Sequence, residues 1–310
     1  MNFTPAEKAE ALPPAAAQTA NPTETATPGP QGAPPLPDEP LVVIEPRRSS
    51  FPFNPRDLWA YHELLYFLAW RDVKVRYKQT ALGAAWVALQ PLCMMLIFSL
   101  FFGRLGKMPS DGIPYPLFAF AGLVPWTFFS TATMMSGNSL VGSANLVTKV
   151  YFPRLIVPMA AVGAAMIDLF FTLAVLGAIM AYYGVRPGPG VLALPALVAL
   201  VALLALAFGI LTSALNVKYR DVRVALPFLL QVWFFGSPII YPTTLVPENW
   251  RWLLALNPMT GIVEGFRVAL FGQRPFDLLA LVLSSVITLA LFAYAAVTFR
   301  RMESTFADIV

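Results

Sequence analysis

Hydrophobic positions in this 310-residue chain come in long unbroken runs separated by short charged intervals. No Asp, Glu, Lys or Arg lies between Lys78 and Arg104, Asp111 and Lys149, Arg186 and Lys218, Arg223 and Glu248, or Asp277 and Arg300. A further run, Leu155 to Tyr183, is interrupted only by Asp168. A hydrocarbon layer about 30 Å thick is crossed by roughly 20 apolar helical residues. Allowing for turns, the runs predict six spans, near 84–103, 116–136, 157–183, 191–215, 224–241 and 278–299. An even number of spans puts both termini on one side. Two shorter patterns, ENWRWLLAL after Pro247 and TGIVEGFRVALFG after the break at Asn257 and Pro258, are too short to cross. They are expected to be re-entrant or to lie at the outer interface between spans five and six. The fold class that follows is an all-α integral membrane protein, with 84–310 as its six-span domain.

The segment 51–83 ahead of the first span has a different pattern. On a helix over Arg56 to Lys78, Trp59, Tyr66, Trp70, Val73 and Tyr77 gather within an arc of about 60°, and Arg56, Glu63, Arg71, Lys74 and Lys78 within an adjacent arc of about 80°. This predicts an amphipathic helix in the membrane interface, with aromatic rings at headgroup depth and cations among lipid phosphates. A soluble helix packed on a partner is the competing reading. Residues 1–50, rich in Ala, Pro and Thr, carry no periodic apolar pattern to offset ordering entropy and are expected to be a disordered cytoplasmic tail. They show no basic start followed by an apolar run, so a cleaved secretory signal is not expected.

Composition sharpens this picture. Hydrophobic residues make up 57% of the chain and charged ones 12%, against about half and about a quarter in soluble domains; a soluble enzyme is excluded. Eleven of the 29 prolines fall in the first 46 residues, so the remainder is more apolar still. The single cysteine, Cys93, rules out a disulfide framework or a Cys-based zinc site. The net charge of +4 comes without a basic run interleaved with polar residues, so no nucleic-acid partner is expected. With the N-terminus inside, inner segments hold twelve Lys and Arg and outer ones six, which favours cytoplasmic N- and C-termini.

Few residues offer chemistry. No GxxxxGK[ST] phosphate loop is present, so the chain is not expected to hydrolyse ATP itself. The only histidine, His62, sits in the amphipathic segment, which leaves no basis for a histidine metal site or a Ser/His/Asp triad. Asp168 is the only acid deep within a span; such a residue costs roughly 3 kcal/mol on insertion scales and usually faces a bundle interior or water. It either lines a path or locks two helices together. Aromatic clusters occur at Trp126, Phe128 and Phe129 and at Trp233, Phe234 and Phe235. They suit a glycan conduit, whose sugar rings stack on aromatic faces, although lipid-facing packing is the commoner fate of such residues. Between spans two and three, Lys149 and Arg154 flank Val150, Tyr151 and Phe152, an apolar group suited to another protein's groove or to the lipid face. Lys218, Arg220, Asp221 and Arg223 form a charged turn between spans four and five.

A family resemblance rests on RDVKVRYKQTALGAAWVALQPL from Arg71, LFAFAGLVPWTFFS from Leu117, LVTKVYFPRLIVP from Leu146, LNVKYRDVRVALPFLLQVWFFGSPIIYP from Leu215 and LNPMTGIVEGFR from Leu256. In this order they resemble the permease subunit of bacterial ABC exporters of the second type, in the branch that exports O-antigen and related cell-surface polysaccharides. The resemblance covers about residues 55–300. It implies a multi-pass homodimer in the bacterial cytoplasmic (inner) membrane, working with two copies of an ATP-binding subunit that supplies ATP and Mg²⁺; this chain itself would bind no cofactor. It further implies that 56–78 is a cytoplasmic gate helix whose Arg71, Lys74, Arg76 and Lys78, with Trp59 and Trp70, meet a lipid pyrophosphate headgroup. By the same resemblance, Lys149 to Arg154 is the coupling helix in the ATPase groove, Asn216 to Asp221 holds that interface together, and 241–272 is the pair of re-entrant helices closing the exit. The cargo implied is a polysaccharide on an undecaprenyl diphosphate carrier.

Rival readings are distinguishable. The same architecture could carry teichoic acid, capsule polymer or a small lipophilic drug; the aromatic clusters and basic gate helix favour a polymer. A membrane-embedded glycosyl or acyl transferase would need an acidic or histidine site near the interface, which is not found. A secondary transporter should show internal repeats and several charges within the spans, whereas only Asp168 is there.

Overall fold

The apolar runs fold into helices, and their lengths decide which can cross a bilayer. The computed structural model describes residues 59–78, 83, 85–272, 274–303 and 306, all within the unit Ser49–Val310. The expected tail lies outside the described residues, as do 51–58, 79–82 and 84 of the segments around it.

Helix α1 (His62–Tyr77) precedes α2 (Ala85–Phe98), which continues into wider π-helical turns over Ser99–Leu105. Next come α3 (Tyr115–Gly142), the short α4 (Ala144–Lys149), α5 (Ile156–Tyr182), and α6 (Leu194–Lys218) behind a 3₁₀ turn at Pro189–Ala193. The chain ends in α7 (Val222–Phe235), α8 (Glu248–Ala255), α9 (Pro258–Phe271) and α10 (Leu278–Glu303). Among the described residues, five stretches are long and apolar enough to cross a membrane: 85–105, 115–142, 156–182, 189–218 and 278–303. A sixth exists only if α8 and α9, which meet at 99°, count as one broken span.

The expected fifth span, 224–241, is not a single helix. α7 stops at Phe235 after 14 residues, a length of about 21 Å at 1.5 Å per residue, short of the 30 Å layer. Proline alone does not decide this, since Pro91, Pro125 and Pro227 lie inside helices; the run turns from Gly236 where Asn257 takes the Gly236 carbonyl and Arg267 those of Pro238 and Ile239. The second expected span runs further than its apolar core, to Gly142; in the added turns Asn138 and Ser139 return their side-chain hydrogen bonds to the Met134 and Ser136 carbonyls, and Ser136 donates across to the Pro158 carbonyl of α5.

α3 is the axis of the bundle. Leu117, Phe118, Phe120, Leu123 and Phe129 are buried on it, with α5, α6, α2, α7 and α9 packed around. Close approach of α3 to α6 depends on Gly209, where an added Cβ would lie 2.3 Å from Ser136 Oγ, and close approach of α9 to α10 on Gly261, where it would lie 2.6 Å from the Ala280 carbonyl oxygen. Small residues at helix crossings are the usual way to gain packing where lipid gives no hydrophobic drive. A second apolar cluster, joining Leu68, Leu140, Val147, Phe152, Ile156, Ile210, Ala214, Val217 and Phe299, closes the end of the bundle that carries α4 and the α6–α7 turn.

Candidate functional site

α1 lies along the first half of α5, and its faces are partitioned in three. Leu64, Leu65, Leu68 and Ala69 turn into the bundle, with Ala69 beside Gly163 of α5. The opposite arc, Trp59, Tyr66 and Trp70, is exposed. The helix is therefore apolar on two faces with cations between them, rather than amphipathic in the simple sense expected.

The cations of α1 do not act as one group. Arg76 pairs with Asp168 of α5 and its other Nη contacts the Met135 sulfur; Tyr77 donates its hydroxyl to the second oxygen of Asp168. Arg71 is paired with Asp72 at 2.8 Å. Lys74 sits 5.5 Å from the centroid of the Trp70 ring, a cation–π distance, and Lys78 is exposed. Trp59 stacks on His62, whose Nδ1 lies 2.7 Å from the Trp59 carbonyl. Lys74, Lys78 and Trp70 thus remain available at the surface, while Arg76 is engaged inside. Burial against α5, reinforced by the hydrogen bond to Asp168, pushes the Tyr77 phenol up to about 12.

At the end of the bundle beyond α4, the expected coupling residues separate. Val150 and Tyr151 are exposed, Tyr151 at 93%. Phe152, expected beside them in a partner's groove, is instead 5% exposed inside the second apolar cluster. It is the anchor beneath the exposed tip. Arg154 is directed to α10, its side chain donating to the Glu303 carbonyl oxygen and its amide lying 3.4 Å from Glu303 Oε1. Lys149, Lys218, Arg220 and Asp221 are exposed at the same end, and Lys218 lies over the Tyr219 ring. Just inside, buried Asn216 donates to the Gly137 carbonyl at 3.0 Å and to Asn138 Oδ1 at 3.2 Å, fixing α6 to α3.

The two aromatic clusters, far apart in sequence, do meet. Trp126 and Phe129 of α3 contact Trp233 at ring-centroid distances of 6.4 and 5.1 Å, and Phe234 lies 5.5 Å from Trp126. Phe208 of α6 and Phe98 of α2, which the sequence did not single out, complete the stack. These rings pack on one another instead of lining an open conduit; Phe128 is buried outside the stack, and only half-buried Trp233 and exposed Phe235 reach the surface of α7.

Two more residues carry structure that sequence reading missed. Asn257 caps α9 by accepting from the Met259 amide at 3.0 Å, accepts from the Trp233 indole at 2.9 Å, and donates to the Gly236 carbonyl and Ser237 hydroxyl. Arg267 is 3% exposed. It donates to the Pro238 and Ile239 carbonyls, each at 2.7 Å, and to Glu264 at 3.0 Å, with its guanidinium 3.6 Å from the Phe118 ring centroid. Together they tie the chain after α7 to α9 and α3. The one visible signal was an Arg three residues after Glu264 inside an otherwise apolar helix.

Comparison with known proteins adds independent findings. The profile of the family described as ABC-2 type transporter matches residues 63–271. The chain is 31% identical over 258 residues, 82% of its length and 98% of the relative's, to an O-antigen export system permease protein, RfbA, of Myxococcus xanthus. It is 26% identical over 250 residues to an RfbA of Klebsiella pneumoniae, covering 80% of this chain and 95% of that one. It is also 24% identical over 207 residues to the polysialic acid transport protein KpsM of Escherichia coli, covering 64% and 78%.

Proposed function

The chain belongs to the ABC-2 type transporter family, and we propose that it is the membrane permease subunit of an exporter of O-antigen or a related cell-surface polysaccharide. The observation that carries this reading is the full-length similarity to RfbA permeases. Our reading places the protein in the inner membrane with both termini cytoplasmic, as a homodimer served by two ATP-binding subunits that bind ATP and Mg²⁺.

The exposed tip at Val150 and Tyr151, braced by Phe152 beneath it and flanked by Lys149, Lys218 and Arg220, is the proposed seat of the ATPase subunit. An apolar residue at a solvent-exposed tip carries a cost unless a partner covers it. ATP-driven closure of the partner pair would push on this tip, and Phe152 and Asn216 would pass the displacement into α5, α6 and α3. Lys74, Lys78 and Trp70 on α1 are the proposed first contacts for the diphosphate of an undecaprenyl-linked polymer; Arg76 instead holds α1 to Asp168. The polymer path is proposed along the face of α7 that shows Trp233 and Phe235, where two copies of the chain would meet, and α8 and α9 would close its outer end as a re-entrant pair.

Co-purification tests this reading. Tagged chain should capture the subunit with a phosphate-binding loop encoded beside it, and Tyr151→Glu should abolish capture while the chain stays folded. A folded chain that captures no ATPase would overturn the function; a Tyr151→Glu chain that captures it normally would overturn the docking tip.

A further inference from the structure

A cavity bordered by charged side chains and an apolar groove adjoin at the end of the bundle opposite α4. The cavity, about 260 Å³, lies between α8, α9 and the start of α10 and is bordered by Thr243, Thr244, Arg251, Glu264, Arg274 and Asp277. The groove, about 530 Å³, runs between the first turns of α6 and α10 past Ala196, Ala199, Leu200, Leu203 and Leu289. Phe276 and Leu281 border both, so the two spaces meet at these side chains. The surface beside the groove is apolar, with Leu192, Leu278, Val282 and Val286 exposed, as expected of helix faces turned to lipid.

The lining chemistry specifies the occupant. Two guanidiniums and two carboxylates border the cavity, so its net charge is zero while its local charges are strong. Each is held from behind: Arg251 by Glu248, Arg274 by Asp111, Glu264 by Arg267, and Asp277 by the Ala280 amide that it caps. A guanidinium carries five N–H donors, so one such partner leaves donors for a phosphate. A carboxylate likewise keeps lone pairs for an ammonium. A free sugar would use the hydroxyl-rich rim and leave the groove empty, whereas an anionic lipid such as phosphatidylglycerol carries the phosphate but no ammonium to meet Glu264 and Asp277.

We propose that these joined spaces bind one zwitterionic glycerophospholipid, with its phosphate and amine in the cavity and an acyl chain in the α6–α10 groove. The lipid would wedge the bent α8–α9 pair against α10. This site does not depend on which cargo the exporter carries.

The test uses the full-length chain reconstituted in liposomes of equal phosphatidylethanolamine and phosphatidylglycerol, re-extracted into detergent, with the retained lipid identified by mass spectrometry. Wild type should retain a single phosphatidylethanolamine in preference to phosphatidylglycerol. Ala196→Phe, an exposed position that projects a ring into the groove, should lower retention about tenfold, equivalent to about 1.4 kcal/mol. Arg251→Gln should lower retention of both lipids, Asp277→Asn should weaken the preference between them, and Phe170→Ala, on an exposed face of α5, should change nothing. Ala196→Phe chain that melts like wild type and keeps its lipid would overturn the proposal, as would equal retention of the two lipids by wild type.

Discussion

The Arg76 guanidinium at the end of α1 and the Asp168 carboxylate in the middle of α5 form an ion pair in which the side chains are 28% and 11% exposed. Tyr77 donates to the same carboxylate. A charge in the apolar half of a bundle is costly alone and tolerable when paired and hydrogen-bonded. Asp168 is thus satisfied by α1, and its structural role is to hold that helix against the bundle. Asp168→Asn should destabilise the chain by about 2 kcal/mol, since it leaves Arg76 partly buried without its counter-charge. Adding Arg76→Gln should cost less than the sum of the two single changes. Thermal unfolding in detergent measures both; normal stability with lost export would return Asp168 to the transport path.

Docking of α1 should weaken in alkali. The Tyr77 phenol is raised to about 12, above its ordinary 10, so the folded chain holds this proton more tightly than the unfolded one does. The stabilisation is complete below pH 10 and is lost as pH rises from 10 towards 12. Protease access to α1 should rise over that window, and Tyr77→Phe should abolish this pH dependence.

Phe152 and Tyr151 should behave as opposites. Phe152→Ala empties a buried site and should cost about 3–5 kcal/mol. Tyr151→Ala, at an exposed position, should change stability by no more than about 0.5 kcal/mol yet reduce ATPase capture. Melting curves and co-purification on the same two variants check the pair.

Three glycine-to-alanine changes should rank by what the new methyl meets. At Gly261 it meets the Ala280 backbone carbonyl at 2.6 Å, at Gly209 the Ser136 side chain at 2.3 Å, and at Gly177 nothing within 4 Å. The Ala280 carbonyl at Gly261 and the Ser136 Cβ, 2.5 Å away at Gly209, are both fixed to backbone, so Gly261→Ala and Gly209→Ala should each cost about 3 kcal/mol, and Gly177→Ala nothing or a slight gain. Thermal melting of the three variants in one detergent gives the order.

Arg267→Lys should be poorly tolerated. A lysine ammonium cannot span two carbonyls and a carboxylate while lying flat on the Phe118 ring. A loss of about 2–3 kcal/mol is expected, with earlier proteolysis in the Gly236–Pro247 segment; wild-type stability would show that the clamp is dispensable.

Apolar run length was sufficient to find the five stretches among the described residues that are long enough to cross, one of them interrupted by Asp168, because the hydrocarbon thickness imposes a minimum that few other folds require. It failed at 224–241, where hydropathy does not register that Asn257 and Arg267 take the carbonyls of Gly236, Pro238 and Ile239 and hold the apolar run as a turn. Periodicity located the aromatic and charged arcs of α1, and family resemblance pointed to the Val150–Phe152 tip. Neither distinguished Tyr151 from Phe152, since both are aromatic neighbours and only packing says which of them turns inward.

What the sequence determined by itself was the environment: an apolar, helical, multi-span chain with its chemistry confined to a few charges, set by transfer free energies that act residue by residue. Tertiary structure alone decided which charges are engaged. Arg76 with Asp168 and Arg267 with the carbonyls of Pro238 and Ile239 join residues 92 and about 28 positions apart, and no local pattern encodes such a pairing. It follows from which helices lie side by side, and that is settled by the fit of side chains such as Ser136 at Gly209 and Ser284 at Gly261.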